Sequence, residues 1–285
     1  MRSPQSGIFA LGTASHAYLE LRGTGTGNLV SAVAGLREPR TTMGGVNLVV
    51  GFRPGLWPGD APADLHGFDE PVGMMPATQQ DAVLWISGAS YDVVFDVARA
   101  AIDELAPVAE VAVETSGWPY HHDRDLTGFI DGTENPTLVE APEFVLIPEG
   151  EPGEGGSILL LQQWAHDVEK WESLAVEQQE GVMGRRKSDS EELDPKPDDS
   201  HVASTDQDTF GHIFRRNTAY GTVIDHGTMF VGFCNEQRPL DAMLESMAGL
   251  ANGTPDALTK YTTPLTGAYY FVPSTDAIAR ATSAG

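Results

Sequence analysis

The densest run of chemistry-bearing residues is Asp125-Leu-Thr-Gly-Phe-Ile-Asp131-Gly132-Thr133-Glu134-Asn135-Pro136. An Asx-type turn followed by a proline stop accounts for Gly132 and for Asn135-Pro136. It does not account for Asp131, which follows two large apolar residues. A carboxylate beside Phe129 and Ile130 is drawn out of water, and such a group needs a partner or a job. A second cluster is Phe214-Arg215-Arg216-Asn217, just before the short turn Thr218-Ala-Tyr-Gly221. Paired arginines most often serve salt bridges. On a strand they point to opposite faces, so one can face a pocket while the other faces solvent. Three isolated histidines, His201, His212 and His226, are equal candidates for a metal ligand on chemistry alone. His121 and His122 are adjacent; on a strand they diverge and rarely share one ion, and no further ligands stand at fixed spacing. The glycines of Arg22-Gly-Thr-Gly-Thr-Gly27-Asn28 fail the dinucleotide spacing, because asparagine stands where the third glycine is needed, and read as a flexible turn.

These residues have to be positioned by regular elements. Residues 16–22 alternate, with Ala17, Leu19 and Leu21 on one face and His16, Tyr18, Glu20 and Arg22 on the other, which predicts a half-buried strand. Leu29, Ala32, Val33 and Leu36 mark a helix. Strands follow at 46–52 and 82–88, then a helix striped by Val94, Val97, Ala98, Ala101 and Leu105, then a strand at 108–115. This β-α-β, β-α-β order is ferredoxin-like. The second half repeats it less clearly: a strand at 158–162, helix over 164–183, strands at Val223 and 229–233, a helix striped by Leu240, Met243, Leu244 and Met247, and a last strand at 268–272. Trp164 and Trp171, seven apart, fit one buried helical stripe. Residues 137–156 and 187–209 read as solvated loops. The expected class is α+β, with two ferredoxin-like domains of antiparallel sheet covered by helices.

Composition narrows the partners. The 285 residues carry a formal net charge of -24, which disfavours nucleic acid and anionic lipid. No apolar run reaches the roughly 20 residues of a membrane helix, and the opening lacks the apolar stretch of a secretory signal, so no membrane partner and a cytoplasmic location are expected. The single cysteine, Cys234, excludes an intramolecular disulfide and reads as a core residue.

Several of these segments together resemble the dye-decolourising peroxidases, most closely the bacterial B-type branch (class P). Gly128-Phe-Ile-Asp131-Gly132 is similar to the family's G-x-x-D-G signature, Pro4-Gln-Ser-Gly-Ile8 to its opening, and Pro76-Ala-Thr-Gln-Gln-Asp81 to the entry of its third strand. Gly184-Arg185 with Lys187 resembles a haem-proximal segment, and Ser200-His201-Val-Ala203 with Arg215-x-Asn217 resembles the axial-ligand and distal-arginine regions. The resemblance implies an N-terminal ferredoxin-like domain over 1–140 that ends in the distal motif. It implies a C-terminal one over 141–285 that holds a single haem b between sheet and helices. It implies a peroxidase that reduces hydrogen peroxide and oxidises organic donors such as dyes and phenolics through a ferryl intermediate. A haem carrier and a porphyrinogen-oxidising or haem-processing enzyme are the alternatives.

On the same resemblance His201 is the axial ligand of the haem iron, ranked above His212 and His226. Asp131 is the distal base, Arg215 stabilises charge on the departing oxygen, and Asn217 orients peroxide or water. Arg185, Gly132, Thr133, Glu134 and Arg215 contact the cofactor, and Glu134 with Glu192 matches a proposed manganese position. Arg215 is expected to keep Asp131 ionised at mildly acidic pH. The acidic surface favours cationic or neutral donors. A homo-oligomer is expected, and the end of the chain, Ala277 to Gly285, carries no recognisable encapsulin-targeting tail.

Overall fold

The computed structural model describes residues 3–36 and 45–283. The leader and tail readings above rest partly on Met1, Arg2, Ala284 and Gly285, which lie outside the described residues. The first half runs β1 (Ser15–Gly23), α1 (Leu29–Gly35), β2 (Val46–Phe52), β3 (Ala82–Gly88), α2 (Tyr91–Leu105) and β4 (Ala109–Trp118). The second runs α3 (Ala141–Val145), β5 (Ser157–His166), α4 (Val168–Glu172), α5 (Val176–Met183), α6 (His201–Ser204), α7 (Gln207–Phe210), β6 (Phe214–Arg215), β7 (Thr218–Gly221), β8 (His226–Cys234), α8 (Arg238–Met247), β9 (Thr262–Pro264), β10 (Ala268–Val272) and α9 (Thr275–Ser283).

The expectation gave each half its own sheet. Hydrogen bonding instead joins all ten strands in the order β6-β8-β7-β4-β1-β3-β2-β10-β5-β9, and a β5–β8 pairing closes the sheet on itself. The two halves meet along short seams, Phe271 against Phe52 on one side and Gly117–Trp118 against Tyr220–Ala219 on the other.

Closure changes what the alternation in β1 means. Ala17, Leu19 and Leu21 pack outward against α1 and α2, as expected. From His16 to Glu20 the opposite face does not meet solvent, and only Arg22 at the strand end is exposed: the face points into the barrel, where Tyr18 packs with Trp85, Val231 and Phe233. From Ser15 to Leu21 the strand is therefore buried on both faces. Polar side chains enclosed there must find partners. The Tyr270 hydroxyl donates to Glu20 Oε2 at 2.6 Å, and the Trp85 indole donates to His16 Nδ1 at 3.1 Å.

On β5 and β8 the same period of two gives Leu159, Leu161, Val231 and Phe233 to the barrel interior. Ile158, Leu160 and Trp164 face outward to Leu240, Met243 and Leu244 of α8. Between this outer face and the helices a large cavity opens.

Several local readings need correction. The expected loop 137–156 contains α3, whose Ala141 and Val145 are buried in the core, and the expected loop 187–209 contains α6 and most of α7. Residues 164–183 are not one helix: β5 continues to His166, and α4 and α5 follow separately. Trp164 thus sits on a strand and Trp171 on a helix. Val223 is not in a strand but is exposed in the turn between β7 and β8.

Candidate active site

The cavity has about 1240 Å³ of empty space, its mouth included. One wall is the loop 123–134, which follows β4; another is the outer face of β5 and β8; α6 and α8 close it. Among the described histidines, His201 and His166 line it; His212 and His226 do not. His212 packs its ring on Phe144, and His226 bonds the Thr222 carbonyl through Nδ1.

His201 opens α6, whose N-cap is Ser200, accepting from the Ala203 amide. Its Nδ1 lies 2.7 Å from Asp256 Oδ2. Asp256 is wholly buried, and its other oxygen caps the short 3-10 helix Ala257–Lys260 through the Leu258 amide. Burial pushes the His201 value down, but the charge and hydrogen bond of Asp256 outweigh it, and the net direction is up. A carboxylate accepting at Nδ1 leaves the Nε2 lone pair free and makes it more basic. The sequence reading found His201 but not Asp256, which is 55 residues away.

The loop 123–134 is a tight hairpin. The Asp131 amide donates to the Asp123 carbonyl and the Asp125 amide to the Phe129 carbonyl. Gly128 and Gly132 both sit at left-handed φ, and a Cβ on Gly128 would fall 2.7 Å from Lys187 Cε, which explains both glycines of the motif. Asn135 pins this hairpin to the arginine strand: it donates to the Arg215 carbonyl and accepts from the Arg215 amide, each at 2.9 Å.

Asp131, Arg215 and Asn217 all line the cavity. The Asn217 side chain and the Gly132 amide donate to the Asp131 carboxylate, and Asn217 Oδ1 accepts from the Val231 amide at 2.9 Å. Burial pushes Asp131 upward, Arg215 pulls it down, and Asp125 adds a second upward push. The balance lies above the ordinary carboxylate value, so Arg215 does not win as expected.

Arg216 goes the opposite way from Arg215, as strand geometry requires, but not into solvent. Its guanidinium enters the barrel, 5.1 Å from the centre of the Trp85 ring, and donates to the Gly7, Ile8 and Ala10 carbonyls. Arg185 is held at the rim by Glu134 at 2.6 Å and Glu192 at 2.8 Å. Those two carboxylates, matched above to a manganese position, converge here on a guanidinium. Among the described residues no group of three or more histidine, cysteine, aspartate and glutamate side chains is placed to hold a metal.

Five buried polar atoms on the cavity wall have no protein partner: Arg185 Nε, Arg215 Nε, Ser190 Oγ, Gln162 Nε2 and Gln207 Nε2. Buried groups of this kind are normally satisfied, so they mark the wall as built for a ligand with polar edges. The rest of the wall is apolar, with Leu160, Phe230, Leu240, Met243 and Met247 prominent. A flat apolar body with anionic edges fits such a surface, and the free His201 Nε2 is a fitting donor for its iron.

A family model described as "Dyp-type peroxidase, C-terminal" matches residues 122–277. A dye-decolorizing peroxidase of Mycolicibacterium paratuberculosis is 35% identical over 264 residues, 87% of this chain and 74% of its own length. One of Rhodococcus erythropolis is 35% identical over 269 residues, 87% of this chain and 79% of its own. Among solved structures, a dye-decolorizing protein from V. cholerae superposes with a TM-score of 0.89 at 31% identity, over 97% of this chain and 99% of that one. A variant of DypB from Rhodococcus jostii RHA1, solved in complex with heme, gives 0.87 at 32% identity, over 98% and 99%.

Proposed function

The chain belongs to the dye-decolourising peroxidase family and is a haem peroxidase, and from that premise we propose how its own residues divide the work. One haem b per chain, bound in the cavity, would supply the iron chemistry and the one-electron exchange of the reaction. His201 would hold the iron through Nε2, with Asp256 fixing the tautomer. Arg185 and the cavity wall at Gly132, Thr133 and Glu134 take the polar edge of the ring, where the unpartnered Arg185 Nε and Ser190 Oγ await acceptor or donor atoms.

Asp131 accepts the proton of one peroxide oxygen and returns it to the other, which leaves as water. Its raised value makes it a better base but confines that role to pH above its own titration. Arg215 meets the negative charge on the departing oxygen; its Nε is a buried donor with no protein acceptor. Asn217, fixed through its Oδ1, keeps the Asp131 carboxyl aimed into the cavity. The substrates are hydrogen peroxide and organic donors.

The single observation that carries this division is one cavity lined by both an imidazole with a buried carboxylate behind it and an aspartate–arginine–asparagine set. A carrier needs no such set. We also infer two ferredoxin-like domains, 1–140 and 141–285, with the haem between the sheet and helices of the second. The support is strand order. The first half contributes β4-β1-β3-β2, and the second, without the short strands β6 and β9, contributes β10-β5-β8-β7; in each set of four the order is fourth, first, third, second.

The test is a visible spectrum of the haem-loaded protein before and after one equivalent of peroxide. A Soret band that changes with peroxide, is lost in His201→Ala and is kept in His212→Ala and His226→Ala is the expected result. A His201→Ala variant with an unaltered Soret band refutes the ligand assignment.

A further inference from the structure

The reading above leaves unused a hydrogen-bonded chain on the cavity wall. Asp125 Oδ1 accepts from the Thr127 amide at 2.6 Å and from the Thr127 hydroxyl. Its Oδ2 accepts from the Thr228 hydroxyl at 2.7 Å. The same Thr228 oxygen lies 3.1 Å from His166 Nε2. A hydroxyl has one proton; Thr228 gives it to a carboxylate that can only accept, so it must receive from His166. The polarity is uniform, from His166 Nε2–H to Thr228 O–H to Asp125.

The ends of this chain lie in useful places. The β5–β8 ladder pairs Trp164 with Thr228 and Ala165 with Gly227, which sets His166 opposite His226 at the next step. Residues 164, 166, 226 and 228 share one face. His226 holds the Thr222 carbonyl in the exposed turn, whereas the His166 side chain is 7% exposed. At the inner end, Asp125 and Asp131 stand on opposing arms of one hairpin and both line the cavity. The charged groups that act on His166 are Asp125 and His226; Asp125 in turn acts on Asp131, His201 and Lys187.

We propose that His226, His166, Thr228 and Asp125 form a proton conduit from solvent to the cavity beside Asp131, serving the electron-uptake half of peroxide reduction. It rests on the reading of Asp131 given above. Splitting peroxide moves one proton between its two oxygens and consumes none. The full reduction is H2O2 plus two electrons and two protons to two waters. Both protons are therefore taken up as the organic donor supplies electrons and is oxidised. A donor too large to enter the cavity brings electrons alone, so the protons must come from solvent by another route. Burial holds His166 below the usual imidazole value against the pull of Asp125, so near pH 7 its ring is neutral. It can then accept a proton at Nδ1 from the outside while passing one inward from Nε2.

The test compares two steps in the holoenzyme by stopped-flow: reaction with peroxide, and recovery driven by a bulky dye. Thr228→Val removes the hydroxyl at equal size; Thr228→Ala repeats the test if valine disturbs packing. Loss of the relay is expected to slow recovery about tenfold or more, far more than the peroxide step. Thr228→Ser restores it, and a small weak acid in the buffer rescues the valine variant in proportion to its concentration. A second readout is the His166 ring titration by NMR in the diamagnetic carbon monoxide-bound ferrous holoenzyme. Asp125→Asn should lower its midpoint.

Unchanged recovery in Thr228→Val and Thr228→Ala, or a His166 midpoint indifferent to Asp125→Asn, overturns the conduit. The Asp131 reading fails separately, if Asp131→Asn reacts with peroxide at the wild-type rate.

Discussion

Glu20 offers a test of the barrel interior that does not involve the active site. Its side chain points into the closed barrel and is 3% exposed. Burial pushes its carboxyl from 4.5 to about 7, and the Tyr270 hydroxyl, donating at 2.6 Å, opposes the shift without cancelling it. Between pH 4.5 and about 7 the native state binds more protons than the unfolded chain, so this group's contribution to stability falls as pH rises through that window. At about 1.4 kcal/mol per pH unit, the full cost above the folded value is about 3 kcal/mol. Glu20→Gln keeps an oxygen for Tyr270 and removes the charge. Urea unfolding of the two proteins from pH 4 to pH 8 isolates the effect, because all other titrations cancel in the difference. The stability gain of the variant should be small below pH 4.5, grow through the window and level off near 3 kcal/mol. A difference that stays flat across that range would mean that water reaches Glu20, and that the closed, dry interior inferred from strand pairing is wrong.

Other consequences follow from the same geometry. Arg215→Leu removes the cation that pulls Asp131 down, so the acid limb of the peroxide reaction should move to higher pH; the rate on the plateau should drop about a hundredfold, as for a lost charge-stabilising donor, measured by stopped-flow against pH. Asp256→Asn leaves the helix cap an acceptor but takes the charge from behind His201, and haem retention in a competition with apomyoglobin should weaken about tenfold. Arg216→Leu strips the Gly7, Ile8 and Ala10 carbonyls of a buried donor, and a loss of about 3 kcal/mol in urea unfolding is expected, with a changed Trp85 emission. A loss of less than about 0.5 kcal/mol would show that those carbonyls are satisfied by water.

What the sequence made legible depended on how far each signal reaches. The β1 alternation was plain, but it says which residues share a face and not what that face meets; only closure of the sheet turns Tyr18 and Glu20 inward. The sequence signal of β5 stops at Gln162 because Gln162 and Gln163 interrupt the hydrophobic period, and Gln162 and His166 on the outer face are polar residues that line the cavity. Asp131 and Arg215 were found because each breaks a local pattern, a carboxylate after two large apolar residues and a doubled arginine. Asp256 and His166 break none. Asp256 reads as an ordinary helix cap, which it also is, and its bond to His201 is fixed by tertiary packing alone. Asp125 lay inside the motif, yet its role depends on Thr228, 103 residues away.

The two histidines of the cavity show how one residue type is given two roles by its distance from a carboxylate. His201 touches Asp256 directly at 2.7 Å, and the carboxylate overcomes burial, so the net shift is upward. His166 is 4.0 Å from Asp125, with the Thr228 hydroxyl bonded to both, and there burial wins and the shift is downward. The first arrangement suits a ligand: Nδ1 is locked, Nε2 is electron-rich, and the ring cannot turn without breaking a buried charge-assisted bond. The second suits a carrier of protons: the ring is neutral near pH 7, its partner is a rotatable hydroxyl, and no direct ion pair traps the proton. A direct contact stabilises the imidazolium enough to hold it, while an interposed hydroxyl lets the proton pass and then resets by rotation. The same division explains why Asp131 and Asp125 differ. Asp125 lies beside His166 and accepts from two hydroxyls and an amide, and these hold it below the ordinary value despite its burial. Asp131 is pushed up, first by its own burial and then by Asp125. A carboxylate held low beside a base held high passes a proton on rather than keeping it, which is the direction protons must travel along the chain.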